Sequence, residues 1–118
     1  MPSLPPYKTL DVYTISKKLV VACYELTHDL PAEEKTNLVQ YIRTAAVTVH
    51  LNIAQAALLK KKKKKRKFIK TVQNALVVID AAVAVLVEVG FVNEYRSTEL
   101  TELSAACYQV MESLKKDK

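Results

Sequence analysis

Eight consecutive cationic side chains occupy Lys60–Lys67, and Lys70 follows one helical turn later. Such a run has the chemistry to neutralise phosphates, because each Lys or Arg that meets a phosphate releases counterions whatever the base sequence. Lysine is a point charge rather than a bidentate fork, so the run predicts contacts to a nucleic-acid backbone more than to base edges. A block of like charge repels itself, and it must therefore stay in water or meet an anionic partner.

The basic character of the chain is local. Of 18 Lys and Arg, eight lie in the lysine block Lys60–Lys67, and without them the net charge of +6 becomes −2. No Asp or Glu occurs from Lys35 through Ile79, a stretch that holds 11 basic residues. This asymmetry predicts a protein with one strongly cationic end.

Arg43 is a second candidate for a phosphate contact. It is the one arginine in the apolar pattern that precedes the lysine block. The alternatives are a surface residue whose stem lies on apolar neighbours, or an intersubunit ion pair. The predicted nucleic-acid-binding residues are Arg43, Lys60, Lys61, Lys62, Lys63, Lys64, Lys65, Arg66, Lys67 and Lys70.

The sequence offers little for catalysis. His28 and His50 have no catalytic partners nearby in the sequence, and no cofactor, metal or nucleophile motif is present. A single glycine leaves no room for a phosphate-cradling loop. Cys23 and Cys107 each lie in an apolar helical pattern, and we expect buried free thiols rather than the alternative, a disulfide between them. We therefore expect a protein that is not an enzyme and needs no cofactor.

The elements that must position these residues are helices, because apolar residues recur at helical spacing in four segments. The predicted order is an extended lead-in over 1–9, helix 1 over Leu10–His28, helix 2 over Pro31–Leu59, a turn within Lys61–Lys65, helix 3 over Arg66–Val89 ended by Gly90, and helix 4 after Asn93. Short connections between four helices predict an all-α, antiparallel up-down-up-down bundle that forms a single domain over residues 1–118.

Helix 3 is apolar nearly all round, since 12 of the 13 residues in Ala75–Val87 are apolar. Its β-branched content would also suit a buried strand, but its length and alanine content favour a helix. A helix apolar all round must be covered all round, which predicts that its outer face packs on another subunit. Asp80, its lone charge, fits either a buried interface pair or a narrow wet stripe.

The N-terminal residues lack a cationic segment followed by an apolar run, so no secretory signal is expected. The apolar run Ala75–Val87 is interrupted by Asp80 and is too short to cross a bilayer. We expect a cytoplasmic protein without a membrane partner.

Several segments resemble a known family. Residues 7–13, YKTLDVY, are similar to the family start Y-x-x-L-x-V-W/Y, and residues 26–34, LTHDLPAEE, to the junction between helices 1 and 2. Residues 40–55, QYIRTAAVTVHLNIAQ, are similar to Q-I-R-R-A-A-x-S-I-x-x-N-I-A-E-G, and Phe68 and Val89-Gly90-Phe91 continue the match. The chain thus resembles the four-helix bundle protein family, also called the 23S rRNA intervening-sequence protein family, to which the accessory variability determinants of diversity-generating retroelements are related.

This resemblance implies an antiparallel four-helix bundle and a homopentameric ring. It also implies nucleic-acid binding, since relatives are encoded within rRNA intervening sequences and the retroelement branch works with a reverse transcriptase and its RNA. Only Arg43 carries over from the basic pair of the family, because Thr44 replaces the second arginine. Gln55-Ala56 stands in place of the family's E-G, and the lysine block follows where relatives have a glycine-containing turn.

The leading hypothesis is therefore a non-enzymatic, oligomeric bundle that binds RNA or DNA through phosphates. One alternative is a structural or adaptor ring that binds a protein such as a reverse transcriptase. Another is a scaffold whose lysines serve only solubility.

Overall fold

The computed structural model describes residue 8 and residues 10–56 and 58–116. These residues form four α-helices and one short 3₁₀ turn, and contain no strand. The helices are α1 (Asp11–Thr27), α2 (Leu38–Ala56), α3 (Lys62–Glu88) and α4 (Glu94–Lys116). The prediction of an all-α four-helix protein is confirmed, and Ala75–Val87 is helical rather than extended. The extended lead-in predicted over 1–9 falls, apart from Lys8, outside the described residues.

Each helix packs against its two neighbours, in the cyclic order α1, α2, α3, α4, so that α1 and α3 lie diagonally across the bundle. Ser16 near the start of α1 contacts His50 near the end of α2. Gln73 in the first half of α3 donates to Glu112 in the second half of α4. These two contacts join the first half of one helix to the second half of its neighbour, and they are consistent with a compact helical bundle.

The core is built from one apolar stripe on each helix. Its largest fully buried side chains include Leu19 of α1, Ile42 of α2, Ile79 of α3 and Leu100 of α4. Burying a side chain of this size contributes about 1.5–3 kcal/mol, so these stripes decide which way each helix faces.

The start of α2 differs from the prediction. Only a 3₁₀ turn, Ala32–Glu34, follows Pro31, and α2 begins at Leu38. None of the three residues in this turn is buried, so no apolar contact favours continuing it as an α-helix. Asn37 precedes the helix, and its backbone carbonyl accepts the N–H of Tyr41. The first regular turn thus begins where the apolar stripe begins.

The connection between α2 and α3 also differs from the prediction. Helix α2 ends at Ala56 rather than Leu59, and α3 begins at Lys62 rather than Arg66. The N–H of Leu58 bonds to the Gln55 carbonyl at 3.1 Å, which closes a tight turn before the lysines. Lysine is a good helix former, and the exposed side chains keep their charges in water, so most of the block joins the helix rather than forming the loop.

The junction between α3 and α4 follows the predicted signals. Gly90 has φ of 85°, a left-handed conformation that glycine adopts without strain. The N–H of Phe91 bonds to the Leu86 carbonyl at 3.0 Å, the hydrogen bond typical of a glycine-ended helix. The Asn93 side chain accepts the N–H of Arg96 at 2.7 Å and caps α4.

Among the described residues, α3 is long and apolar enough, by length and composition, to cross a membrane. In the bundle, however, 44% of its most apolar window is buried. It serves here as a core helix that packs against both α2 and α4.

Candidate nucleic-acid interface

The lysine block lies mostly on a helix. Lys60 and Lys61 end the connection, whereas Lys62–Lys67 form the first turns of α3. Every residue of the block is exposed, as is Lys70. The prediction of a turn within Lys61–Lys65 is therefore wrong except at its first residue. A helix fixes the spacing of these cations, which a flexible loop would not.

Helical spacing divides the block between two faces. Lys62, Lys65 and Arg66 line a groove at the end of the bundle, and we call them the groove cations. Their positions are three and four residues apart, so they share one side of α3. Lys63, Lys64 and Lys67 do not line that groove, and we call them the off-groove cations. One helix thus offers cations in several directions.

The lysine block lies at the N-terminal end of α3, where the helix itself favours negative charge. Lys61 is the N-cap residue and provides no side-chain hydrogen bond, and no acidic residue occurs in the first turn. The first backbone N–H groups of a helix have no partner within it, and they give this end a partial positive charge. The helix dipole and the lysine side chains are therefore both positive at this end, and both favour a negatively charged group there.

Arg43 is not part of this surface. Its Nε donates to Thr27 Oγ1 at 2.9 Å, and its guanidinium carbon lies 4.4 Å from the centre of the Tyr24 ring. It lies thirteen positions before Ala56 in α2, a helical distance of about 20 Å. The structure therefore brings Lys60–Lys67 and Lys70 to one end of the bundle and places Arg43 toward the other.

Two further cations lie at the cationic end. Lys115 and Lys116 form the last turn of α4, and the neighbouring Leu114 lines the same groove as the groove cations. Neither lysine was among the predicted binding residues, although the predicted helix directions already brought the end of α4 to the start of α3.

Glu112 is an acidic group near this end. The Gln73 amide donates to its carboxylate at 2.7 Å, and this hydrogen bond is the main cause that lowers the pKa of Glu112. Lys115 and Lys116 lower that pKa further, and one Glu112 oxygen lies 3.6 Å from Lys115 Nζ. Gln73 and Lys115 therefore stabilise the ionised carboxylate of Glu112.

Acidic side chains gather at the opposite end. Glu33 and Glu34 belong to the 3₁₀ turn before α2, Glu88 ends α3, and Glu94 begins α4. There, Asp29 lies 3.5 Å from Arg96. Charge is therefore separated along the bundle, as the sequence predicted.

The surroundings of His50, Cys23 and Cys107 suit a structural role. His50 Nδ1 lies 2.8 Å from the buried hydroxyl of Ser16, and burial followed by the charge of Lys17 lowers the pKa of His50. Burial raises the pKa of Cys23 to about 12 and that of Cys107 to about 11, so both thiols stay protonated at neutral pH. Both are free and buried, as predicted. Among the described residues, no three His, Cys, Asp or Glu side chains come together as a metal site.

Fold and surface together define a helical bundle with one cationic end. The sequence model of the 23S rRNA-intervening sequence protein matches residues 8–116, nearly the whole chain. The chain therefore belongs to the 23S rRNA-intervening sequence protein family, which confirms the resemblance seen in the sequence. The comparison with curated proteins finds no significant match.

Proposed function

We propose that the protein is a non-enzymatic, oligomeric nucleic-acid-binding protein whose lysine block holds the phosphates of RNA or DNA without reading their sequence. The observation that carries this proposal is that every residue of the lysine block, which leads into α3, is exposed. The family is named for 23S rRNA intervening sequences, which supports RNA as one candidate polymer.

The location of the block supports a bound anion. Cations in the first turn of a helix are unfavourable, typically by about 0.3–1 kcal/mol each, because they face the positive end of the helix dipole. The first turn of α3 has no acidic residue to offset them. A phosphate at this position would relieve the repulsion, and departures from local sequence rules are expected at functional sites.

The proposed oligomer rests on exposed apolar surface. Val77, Val78 and Val85 are 57%, 42% and 46% exposed and lie on the outer side of α3, and we call this surface the α3 apolar face. On the diagonally placed α1, Val21 and Tyr24 are 50% and 43% exposed. Two different apolar surfaces on opposite sides of one subunit suit head-to-tail contacts, which close into rings.

We propose that these contacts form the homopentameric ring implied by the family resemblance. Asp80, exposed within the α3 apolar face, would then meet the edge of a neighbouring subunit. A ring repeats the lysine block around its circumference, and several weak phosphate sites acting together gain avidity.

Filter binding of single-stranded RNA and duplex DNA across a salt series tests the binding proposal. Replacing the off-groove cations Lys63, Lys64 and Lys67 by Gln should lower affinity for both polymers. The slope of log affinity against log salt for single-stranded RNA should fall by about 2, because each lost phosphate contact removes about 0.7.

A matched control keeps the change in net charge but alters other surfaces. It replaces Lys17, Lys18 and Lys35, which are all exposed and outside the block, by Gln. This control should retain most of the affinity and the salt slope. Equal losses in both triple variants, or no binding at low salt by the unchanged protein, would contradict a site at the block.

Light scattering tests the oligomer separately. The unchanged protein should be larger than a monomer at micromolar concentration, and Val78→Asp with Val85→Asp should reduce its mass, because two charges would enter a desolvated contact. A monomeric unchanged protein would contradict the ring, whatever its affinity for nucleic acid.

A second candidate function is an adaptor ring that binds a protein partner such as a reverse transcriptase. Tyr41 and Tyr95 favour it, since they are 62% and 88% exposed and tyrosine is enriched at protein interfaces. After nuclease treatment, the unchanged protein would still retain such a partner, and Tyr41→Ala with Tyr95→Ala would release it. Loss of the partner on nuclease treatment alone would favour the nucleic-acid proposal.

A further inference from the structure

A groove of about 390 Å³ lies at the cationic end of the bundle. It is formed where α1 begins, α2 ends, α3 begins and α4 ends, and its volume is within the range of about 300–1,000 Å³ that is usual for small-molecule sites. Its apolar wall includes Leu10, Ile53, Phe68, Ile69, Met111 and Leu114. The groove is thus a candidate ligand site whose apolar wall the phosphate contacts proposed above do not use.

The lining of this groove is sharply divided in chemistry. Among the described residues, its only polar side chains are the groove cations Lys62, Lys65 and Arg66. All three are exposed, whereas Ile53 and Ile69 are buried in the wall. An apolar interior with a positively charged rim suits a ligand with an apolar tail and an anionic head.

Two apolar side chains of the wall face water. Leu10 is 40% exposed and Leu114 is 44% exposed. Covering such surface is favourable by about 25 cal/mol per Å². An alkyl chain in the groove would cover both side chains, while its head group stays at the rim.

We propose that the groove binds a single-chain anionic amphiphile, an alkyl chain that ends in a carboxylate or a phosphate. The three groove cations complement the head group, and the positive end of the α3 helix dipole favours an anion near them. A nucleobase suits the groove less well, because its polar edge would find no neutral donor or acceptor in the apolar wall and would lose hydrogen bonds with water. The proposal does not depend on nucleic-acid binding.

Calorimetric titration of the full chain with laurate, below the micelle concentration, provides the test. The rim variant replaces Lys62, Lys65 and Arg66 by Gln. Its matched control replaces Lys63, Lys64 and Lys67 by Gln, so that both lose three positive charges from the same block. A third variant, Ala56→Phe, fills the groove from the end of α2 without changing the charge.

The rim variant should bind laurate at least about tenfold more weakly, because charge-assisted contacts to the head group are lost. The control should change the laurate affinity by less than about threefold. Lys63, Lys64 and Lys67 do not line the groove, so water and salt screen their charges from the head group. Ala56→Phe should abolish laurate binding while preserving the affinity for single-stranded RNA. Dodecanol, which lacks the charge, should bind more weakly than laurate to the unchanged protein.

Comparison of laurate with dodecyl phosphate identifies the preferred head group, and tight binding of either supports the proposal. Equal losses in the rim variant and its control would overturn it, because diffuse charge would then explain the binding. Unchanged laurate affinity in Ala56→Phe would also overturn it. If Ala56→Phe abolishes RNA binding and RNA displaces laurate, a nucleobase is the occupant and the amphiphile proposal is wrong.

Discussion

The guanidinium carbon of Arg43 lies 4.4 Å from the centre of the Tyr24 ring, and this contact joins α2 to the last turns of α1. The same side chain donates from Nη2 to the Tyr24 carbonyl at 3.4 Å and from Nε to Thr27 Oγ1 at 2.9 Å. Carbonyls in the last turn of a helix lack partners within it, and a cation there is favourable. Arg43 therefore stabilises the end of α1.

Replacing Arg43 by Ala should lower the free energy of unfolding by about 1–2 kcal/mol, because a stacked cation and a hydrogen bond are lost. Affinity for nucleic acid should stay unchanged, since Arg43 lies away from the lysine block. Urea denaturation and filter binding measure the two effects. Lys18→Ala, at an exposed position of α1, is the control and should change stability by less than about 0.5 kcal/mol. Weaker RNA binding by a folded Arg43→Ala protein would show that Arg43 contributes to the binding site.

His50 should make stability depend on pH. The Ser16 hydroxyl lies 2.9 Å from the Tyr13 carbonyl and 2.8 Å from Nδ1 of His50, so it links the imidazole to the backbone of α1. Because burial and Lys17 lower the pKa of His50 in the folded state, the unfolded chain binds a proton first as the pH falls below about 6.5. Stability should therefore rise with pH between about 5 and 7.

The measurement is the free energy of unfolding at pH 5 and pH 7. The rise between these values should shrink in His50→Gln and persist in His28→Gln, whose side chain is exposed at the end of α1. An equal rise in His50→Gln and in the unchanged protein would show that other groups cause the pH dependence.

The two cysteines should make the protein sensitive to alkaline pH. Burial raises the pKa of Cys23 to about 12 and that of Cys107 to about 11, so above about pH 9 the unfolded chain releases protons that the folded chain keeps. Stability should fall by about 1 kcal/mol per thiol at pH 10. Urea denaturation at pH 7.5 and pH 10 should show a smaller fall for the double variant Cys23→Ala with Cys107→Ala. A fall of the same size in the double variant would refute this assignment.

Acidic substitutions at the start of α3 should raise the free energy of unfolding and weaken RNA binding. Lys63→Glu and Lys64→Glu should each raise the free energy of unfolding by about 0.5–1 kcal/mol, because an anion in the first turn favours the helix dipole. Both should weaken RNA binding. Lys70 lies beyond the first turn of α3, where the helix dipole has little effect. Lys70→Glu should therefore weaken RNA binding with a smaller gain in stability. Thermal denaturation and filter binding on the same samples measure both effects, and a loss of stability in Lys63→Glu would contradict the account of the helix start.

Much of the fold could be predicted from local signals. The apolar stripe from Leu38 to Ile53 defined α2, and Gly90 and Asn93 marked the junction between α3 and α4. The lysine block was harder to place, because helix propensity and charge repulsion act in opposite directions there. The sequence contains no glycine or proline in this region to decide between them.

The candidate site was only partly predictable for a similar reason. A run of charge identifies itself, so Lys60–Lys67 could be found without a structure. Arg43 could not be assigned, because its partners Tyr24 and Thr27 lie on another helix. The groove could not be foreseen either, since four chain segments form its wall.

The sequence by itself determined that this protein has four apolar stripes at helical spacing, one block of positive charge and two buried thiols, because these depend on residue type and local periodicity. Only the tertiary structure decided that most of the block belongs to α3 and that Arg43 stabilises the end of α1. It also decided which cations line the groove, namely Lys62, Lys65 and Arg66 rather than Lys63, Lys64 and Lys67. Those outcomes depend on which helix ends meet, and packing between distant segments sets that arrangement.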